Sequence, residues 1–295
     1  MSEPVVLLVS HGTMATLEEL PEFLASIRRG HAAPPELLAE VRRRYEAIGG
    51  ESPLRRINES LAQKLAARTG LVVHAAARHG SPPLREVLER IARAGARKVI
   101  VLPLAQYSAP IYAEAARECA ADLPLELSYV PSWAHDSALL SLYANKLEQA
   151  LAVFGKPVRV LLSAHSLPQA VIDAGDPYER EVRAAAEAIA RLANVQNTRI
   201  VFQSQGMSKG PGGRPMPWLG PDLDAALREA AADGETGVLV APIGFLADHV
   251  EILYDLDVEA KARATELGLE LARTESLNDD NAFVTILEHL VRTAA

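Results

Sequence analysis

The feature of this chain that most constrains its fold is the regular alternation of short β-branched runs with longer amphipathic segments. Strands are predicted at residues 5–9, 72–77, 98–103, 125–130, 158–163, 199–203, 237–242 and 269–273. Because a stretch of helix length separates each run from the next, successive strands are expected to be joined by crossover helices. The sequence therefore predicts an α/β fold in which helices cover the faces of parallel sheets.

The predicted strands fall into two groups on either side of Gly155-Lys156-Pro157, with four before it and four after it. A chain of 295 residues is long enough for two ordinary domains. We therefore expect two similar lobes at residues 1–154 and 155–295, each with a four-stranded parallel sheet. No residue-level repeat establishes duplication, and the last predicted helix, at 281–291, is a candidate to pack back on the first lobe.

Glycine and proline predict where several helices begin and end. Gly70, Gly95, Gly234 and Gly268 stand just before predicted strands, where glycine commonly ends a helix. Three dipeptides are typical of a cap followed by proline in the first turn of a helix: Ser52-Pro53, Asp176-Pro177 and Gly220-Pro221.

Composition excludes several classes of protein. A net charge of -8 argues against nucleic acid or an anionic membrane as the main partner. The single cysteine, Cys119, excludes a disulfide framework and a cluster held by four thiolates. The first residues, Met1-Ser2-Glu3-Pro4, are not typical of a signal peptide, so none is expected, and no apolar stretch approaches the ~20 residues that cross a bilayer. We expect a soluble cytoplasmic monomer without a transmembrane segment.

Polar residues follow most of the predicted strands. Open parallel sheets bind ligands beyond the carboxyl ends of their strands. The residues at those ends are His11, His79, Gln106, Tyr107, His165, Ser204 and Asp248. Their common position predicts one cleft between the lobes, with imidazoles on both walls.

His165 and a series of carboxylates are the strongest candidates for chemistry. His165 lies in Ser163-Ala164-His165-Ser166-Leu167-Pro168, and Glu251, Asp255 and Glu259 recur at four-residue spacing on a predicted helix. Like charges at this spacing cost a helix roughly 0.2–0.5 kcal/mol per pair. The alternatives are a structural histidine and a solvated acidic face. Because the helix starts at a strand's carboxyl end, we favour a site that holds a divalent metal or accepts protons.

Basic residues cluster in the first half of the chain, in Arg28-Arg29-Gly30 and Arg42-Arg43-Arg44-Tyr45. They are either surface arginines or bidentate partners for ligand carboxylates, to which Ser52 could add donors. A Gly-rich stretch at 206–214 predicts a surface loop or a lid. Trp218, which follows it, is either a core anchor or a surface on which a flat ligand stacks.

Several long motifs, in one order along nearly the whole chain, resemble those of the ferrochelatases, which place ferrous iron into a porphyrin at the end of haem synthesis. The motifs include Arg44-Tyr45-x-x-Ile48-Gly49-Gly50-x-Ser52-Pro53, Gln106-Tyr107-Ser108, Gly175-Asp176-Pro177-Tyr178, Gln203-Ser204, Trp218-Leu219-Gly220-Pro221 and Asp248-His249-Val250-Glu251, together with the segment around His165.

The resemblance implies two Rossmann-like domains of the chelatase type, with the porphyrin held in the cleft. His165 matches the catalytic histidine and Glu251 its facing carboxylate, and we expect a gap between them wide enough for a flat macrocycle. Asp255 and Glu259 match an acidic line that moves metal or protons. Fe²⁺ is then a substrate, with no organic cofactor and no iron–sulfur cluster. The porphyrin-binding candidates, including three strand-end residues, are His11, Arg28, Arg44, Tyr45, Ser52, His79, Tyr107 and Tyr112.

Two departures from the ferrochelatase pattern leave alternatives open. Position 11 is usually tyrosine in the branch that uses coproporphyrin III, and here it is His11; Ser10-His11-Gly12 is instead similar to the small cobalt and sirohydrochlorin chelatases, whose early histidine binds metal. His11 thus joins His165, Glu251, Asp255 and Glu259 as a candidate metal ligand. The stretch at 206–214 is also longer than in relatives.

The alternatives are a chelatase for another metal or tetrapyrrole, and a non-catalytic haem or metal carrier. Arg28-Arg29-Gly30 favours coproporphyrin III over protoporphyrin IX, whereas His11 in place of tyrosine weakens that preference.

Overall fold

Two parallel sheets form the framework of the protein, whose computed structural model describes residues 3–205 and 216–294. The predicted loop at 206–214 lies outside these residues. The first sheet contains β1 (Val5–Ser10), β2 (Val73–Ala77), β3 (Lys98–Pro103) and β4 (Glu126–Tyr129). The second contains β5 (Arg159–His165), β6 (Thr198–Gln203), β7 (Gly237–Ala241) and β8 (Glu270–Arg273).

The two sheets have the same topology. Their strand orders are β2-β1-β3-β4 and β6-β5-β7-β8, and every pair of neighbours is parallel. In each sheet the chain leaves the first strand on one side and returns to its other side, which creates a topological switch point beside that strand. The predicted fold of two four-stranded parallel sheets is confirmed.

Helices connect the strands and cover the sheets. They are α1 (Leu20–Ile27), α2 (Pro35–Ala47), α3 (Leu54–Thr69), α4 (Leu84–Arg93), α5 (Ala109–Ala120), α6 (Ser137–Phe154), α7 (Gln169–Asp173), α8 (Tyr178–Leu192), α9 (Leu223–Ala232), α10 (Val250–Leu253), α11 (Lys261–Glu266) and α12 (Asn281–Ala294). A π-helical segment, Asp255–Ala260, lies between α10 and α11. Among the described residues, no helix is both long enough and apolar enough to span a membrane.

Two compact units can be separated by their internal contacts. The first comprises Met1–Trp133, Ala247–Val250 and Leu277–Ala295, and the second comprises Ala134–Leu246 and Glu251–Ser276. The boundary between units therefore lies before α6, whereas the sequence placed it after this helix, at 154/155. The reason is that α6 packs on α8 and β7 of the second unit. Helix α12 packs on α3 and β3 of the first unit.

Apolar faces of helices bury the sheet of the first unit. On one face, α4 and α5 pack on alternate residues of β1 and β3, with side chains that include Val87, Leu88 and Ala116. On the other face lie α3 and α12. Strands buried on both faces need nearly continuous apolar sequence, which explains the run Val5–Val9.

The second unit is built in the same way. Helix α9 and the segment from Ile252 to Ala264 pack on one face of its sheet, against residues such as Leu161 and Val240. Helix α6 packs on β7, helix α8 packs on β6, and the two helices pack on each other.

Local sequence signals explain most helix limits. The four glycines predicted to end helices, Gly70, Gly95, Gly234 and Gly268, all have positive φ, between 75° and 87°. This left-handed conformation is easy for glycine because it has no Cβ. The start predicted at Gly220-Pro221 is wrong: α9 begins at Leu223, and its cap is Asp222, whose carboxylate accepts from the amide of Ala225 at 2.7 Å.

Candidate active site

His165 is the last residue of β5, at the switch point of the second sheet. The loop after β7 packs directly on this strand end. The amide of Gly244 donates to the carbonyl of Ser163 at 3.0 Å, and a Cβ on Gly244 would lie 2.5 Å from Cα of Ala164. Glycine at 244 therefore allows the loop to approach β5, and this loop leads into α10, where Glu251 lies.

The side chains of His165 and Glu251 form a close pair. Nε2 of His165 lies 3.5 Å from Oε2 of Glu251, and the two side chains are 37% and 29% exposed. The ring of Phe245 lies edge-on to the imidazole, with 6.4 Å between centroids. The pair is thus partly shielded from water but accessible to a ligand.

The hydrogen bond at the other ring nitrogen defines the tautomer of His165. Nδ1 bonds to the main-chain carbonyl of Ser166. Because a carbonyl only accepts, Nδ1 carries the proton of the neutral ring, and Nε2 offers a lone pair. Once Nε2 takes a proton, the Glu251 carboxylate beside it can stabilise the imidazolium through a charge-assisted interaction. The pair is therefore suited to act as a general base.

The expected gap between this histidine and this carboxylate is absent. A flat ring inserted between two groups needs about 3.5 Å on each of its sides, whereas the two side chains are 3.5 Å apart in total. The expectation of a macrocycle between them is wrong. A planar ligand must instead meet both groups from the same side.

Two buried side chains bind the main-chain carbonyls of His165 and Glu251. The hydroxyl of Tyr178 donates to the carbonyl of His165 at 2.8 Å. The amide nitrogen Nε2 of Gln203 donates to the carbonyl of Glu251 at 3.1 Å. Tyr178 and Gln203 both belong to motifs that carry the family resemblance, but the sequence assigns neither residue a role. Sequence reasoning missed their function because each bond joins elements distant along the chain.

The acidic series Glu251, Asp255 and Glu259 runs through a segment that is not a regular α-helix. After α10 the chain forms a wider turn, in which the amide of Glu259 bonds to the carbonyl of Tyr254 at 2.9 Å. Asp255 is 6% exposed and accepts from Oγ of Ser204 at 2.5 Å, whereas Glu259 is exposed. The three carboxylates therefore differ in burial along a helical segment whose second part is π-helical, and their alignment stays a prediction. Such π-helical turns frequently occur at functional sites.

Several porphyrin-binding candidates are buried in the first unit. Tyr45, Tyr107 and Tyr112 expose less than a tenth of their surface. The hydroxyl of Tyr45 lies 3.1 Å from that of Thr13. Ser52 is also buried, and its Oγ accepts from the amide of Leu54, the first residue of α3, at 3.3 Å. Each of these residues therefore has a structural role, and their contact with a porphyrin stays a prediction.

The cationic candidates differ in their surroundings. Arg44 is paired with Glu40 at 2.8 Å. Arg28 follows α1, and its buried Nε has no hydrogen-bond partner among the described residues. Arg28 is thus the better candidate for an anionic ligand.

His11 and His79 lie side by side after β1 and β2, with ring centroids 5.1 Å apart. Within residues 3–205 and 216–294, no three side chains of His, Cys, Asp or Glu come together as a metal site. The predicted set of five metal ligands therefore stays a prediction.

Comparison with known structures defines the class of fold. Sirohydrochlorin chelatase SirB of Bacillus subtilis, solved with Fe³⁺, matches with a TM-score of 0.59 at 16% identity and covers 100% of this chain and 96% of that one. At this identity the match shows the chelatase fold alone.

The sequence comparisons are more specific. The ferrochelatase family model matches residues 4–295. A ferrochelatase of Herpetosiphon aurantiacus is 36% identical over 98% of each chain. A coproporphyrin III ferrochelatase of Oceanobacillus iheyensis is 31% identical over 98% of this chain and 96% of the relative. The chain belongs to the ferrochelatase family, which confirms the resemblance inferred from its motifs.

Replacing Tyr178 with phenylalanine tests the support of His165. The change keeps the ring but leaves the His165 carbonyl without this donor, so we expect the free energy of unfolding to fall by about 1–3 kcal/mol. We also expect a lower kcat for metal insertion with an unchanged KM for the porphyrin, because the base loses its orientation. Thermal unfolding and steady-state assays measure the two effects.

Tyr143→Phe is the matched control, because Tyr143 is also buried and donates to a main-chain carbonyl, that of Phe245, at 3.0 Å. A comparable loss of stability with a smaller loss of kcat is expected. Equal losses of kcat in the two variants would mean that Tyr178 acts only through general stability.

Proposed function

We propose that this chain is an enzyme that inserts Fe²⁺ into a porphyrin in haem biosynthesis. The observation that carries the proposal is the pair of His165 and Glu251, 3.5 Å apart at the carboxyl end of β5. Metal insertion requires that the pyrrole N–H protons leave the macrocycle, and a neutral imidazole beside a carboxylate provides an acceptor for them. Membership of the ferrochelatase family and the names of the relatives support the same reaction.

In the proposed mechanism, the porphyrin lies against the side of the pair and is bent so that its N–H groups leave the ring plane. Nε2 of His165 accepts a pyrrole proton, and Glu251 stabilises the resulting imidazolium or passes the proton onward. Asp255 and Glu259 are proposed to carry protons or metal away from or towards this point. Imidazole and carboxylate suit Fe²⁺, a metal of intermediate softness. No organic cofactor and no iron–sulfur cluster takes part in this scheme.

Multiple turnovers distinguish an enzyme from a carrier. Anaerobic absorbance spectroscopy with Fe²⁺ and porphyrin in large excess over the protein should show complete conversion to the metalloporphyrin. A product yield that stops at one equivalent per protein would replace this proposal with a haem or metal carrier. Preferential insertion of Co²⁺, or insertion only into sirohydrochlorin, would favour the other chelatases.

We propose coproporphyrin III as the porphyrin. It carries more propionates than protoporphyrin IX, and arginines are the side chains best suited to bind carboxylates in pairs. Arg28 and the neighbouring Arg29 are the candidates in this chain, and several relatives are named coproporphyrin III ferrochelatases. Side-by-side assays should give the higher kcat/KM with coproporphyrin III, and a clear preference for protoporphyrin IX would reverse the assignment.

Arg28→Ala should weaken porphyrin binding by about 1–3 kcal/mol, because a partly buried charged hydrogen bond to a propionate is lost. Fluorescence quenching of the porphyrin measures the Kd. Arg56→Ala removes an exposed arginine of α3 and should leave the Kd unchanged. An equally unchanged Kd in Arg28→Ala would place Arg28 outside the porphyrin site.

We also propose that the protein works as a cytoplasmic monomer. A single cysteine is typical of a reducing compartment, and the net charge of -8 disfavours anionic membrane surfaces. Cell fractionation and light scattering test these two points. A dimer at micromolar concentration, or recovery in the membrane fraction, would contradict them.

A further inference from the structure

Strand β2 forms an outer edge of the first sheet, where it pairs with β1 on its inner side. In a parallel ladder, alternate residues direct their amide and carbonyl groups to the same side. The carbonyl of Val72 and the amide of Arg78 both bond to β1, each at 2.9 Å. The residues at odd positions of β2, which are Val73, Ala75 and Ala77, therefore direct their main-chain polar groups away from β1.

Two of these three residues present open main-chain groups. The outward amide of Ala77 donates to the carbonyl of Pro82 at 2.8 Å, so the chain itself covers this end of the edge. Val73 and Ala75 come earlier in the strand and are half-buried, and their amides and carbonyls face the open side. An edge with such groups is the arrangement to which an additional strand can bond.

A groove of about 510 Å³ runs along the same part of the strand. It is lined by Val73–Ala75, by residues of α3 and α4, and by Ser81 and Pro82, and we call it the β2 groove. Ligand sites in proteins commonly measure about 300–1,000 Å³. The β2 groove is therefore large enough to hold part of a peptide, and the reaction proposed for His165 and Glu251 gives it no role.

The two walls of the β2 groove differ in chemistry. Successive side chains of a strand point to opposite faces of the sheet. Ala76 belongs to the core that α4 and α5 cover, so His74, two residues earlier, faces the α4 side, where Arg90 also lines the groove. On the other side, α3 contributes the small side chains of Ala62 and Ala66. One wall is therefore polar, and the other leaves room for apolar side chains.

Arg90 gives the β2 groove an excess of positive charge. The other charged side chains of the lining are Arg55 and Glu59, which neutralise each other in an ion pair at 3.2 Å. Burial first, and the charge of Arg90 second, lower the pKa of His74. The imidazole is therefore neutral near pH 7, and the guanidinium of Arg90 is the charge that a ligand on this wall would meet.

These features together define the chemistry of an occupant. An extended peptide can pair its main chain with the open groups of Val73 and Ala75, and its alternate side chains then point to opposite walls. A carboxylate complements Arg90 on one wall, and an apolar side chain fits beside the alanines of α3 on the other. We propose that the β2 groove binds an extended segment of a partner protein, in which acidic and apolar residues alternate, as a further strand of the first sheet. This inference does not depend on iron insertion.

Fluorescence anisotropy of a labelled, capped peptide of alternating valine and glutamate, roughly six residues long, tests the proposal with the whole chain. We expect saturable binding in the micromolar range. Arg90→Glu should raise the Kd by about tenfold or more, because a charged hydrogen bond is lost. Val73→Pro should raise it by about fivefold or more, because it removes one outward amide. Proline is tolerated at the first residue of an edge strand, so this variant is expected to fold.

A peptide of opposite charge separates the carboxylate contact from a general loss of structure. A peptide of alternating valine and lysine should bind Arg90→Glu more tightly than it binds the wild type, which an unfolded variant would not do. Arg191→Glu is the matched control, because Arg191 is an exposed arginine of α8 in the second unit. It should leave the Kd of both peptides unchanged.

Hydrogen exchange followed by NMR locates the bound peptide. At saturation, the amides of Val73 and Ala75 should exchange about tenfold or more slowly, whereas those of His74 and Ala76, which bond to β1, should not change. Equal Kd values for the wild type, Arg90→Glu and Val73→Pro, or no slowing at the two outward amides, would overturn the proposal. Dimerisation of the chain that Val73→Pro abolishes would instead assign this edge to a second copy.

Discussion

His165→Ala should lower kcat for iron insertion by about 10²–10⁴-fold, which is the usual contribution of a positioned general base. The variant loses the lone pair of Nε2, which lies beside Glu251 and is the proposed acceptor of the pyrrole protons. Porphyrin binding should persist, because the Tyr178 bond goes to the main chain of residue 165 and not to its side chain. Anaerobic turnover and fluorescence titration measure the two properties separately.

His135→Ala is the control for this experiment, because His135 is an exposed histidine of the second unit. It should retain wild-type kcat. Near-normal turnover in His165→Ala would end the assignment of His165 as the base. A variant that binds no porphyrin would instead assign His165 to ligand binding.

Glu251→Gln should lower kcat by roughly 10–100-fold. The amide keeps the size of the side chain but has no charge to stabilise an imidazolium, and a hydrogen bond to a charged group contributes about 1.5–3 kcal/mol. The amide can even donate towards Nε2 and occupy the lone pair. Steady-state kinetics with Fe²⁺ and porphyrin measure the loss, and Glu187→Gln, at an exposed carboxylate of α8, should have no effect.

The double variant decides whether the two residues act together. If Glu251 works through His165, then His165→Ala with Glu251→Gln should be little slower than His165→Ala alone, because residues that act as a unit are not additive. Fully additive losses would mean that Glu251 has an independent role.

The strands and the order of the elements were predictable because their signals are local. Short β-branched runs with glycine after the preceding helix give a strand wherever they can be buried on both faces. The predicted ends of strands were slightly wrong where tertiary contacts extend an element. Strand β5, for example, continues to His165 because that residue still pairs with Gln203 of β6.

Other features depend on contacts that spacing does not encode. Glu251, Asp255 and Glu259 have α-helical spacing, yet the chain from Asp255 to Ala260 is π-helical. Tyr112 matches a family position, but only the fold shows that it is buried in the core of the first unit.

Hydrogen bonds between residues that are distant along the chain were also not predictable from the sequence. The hydrogen bond from Gln203 to the carbonyl of Glu251 spans 48 positions along the chain, and no local pattern predicts it. The same holds for the contact between the rings of His11 and His79, which lie at the ends of two neighbouring strands.

The groups that support the active pair bind main-chain oxygens: Tyr178 to His165, Gln203 to Glu251, and Ser166 Oγ to Leu219. The backbone conformation at positions 165 and 251 therefore depends little on which side chains stand there. Replacing those two side chains with harder or softer ligands should change the metal that is preferred, while the backbone stays in place. These two positions are therefore suitable for engineering chelatases that make unnatural metalloporphyrins.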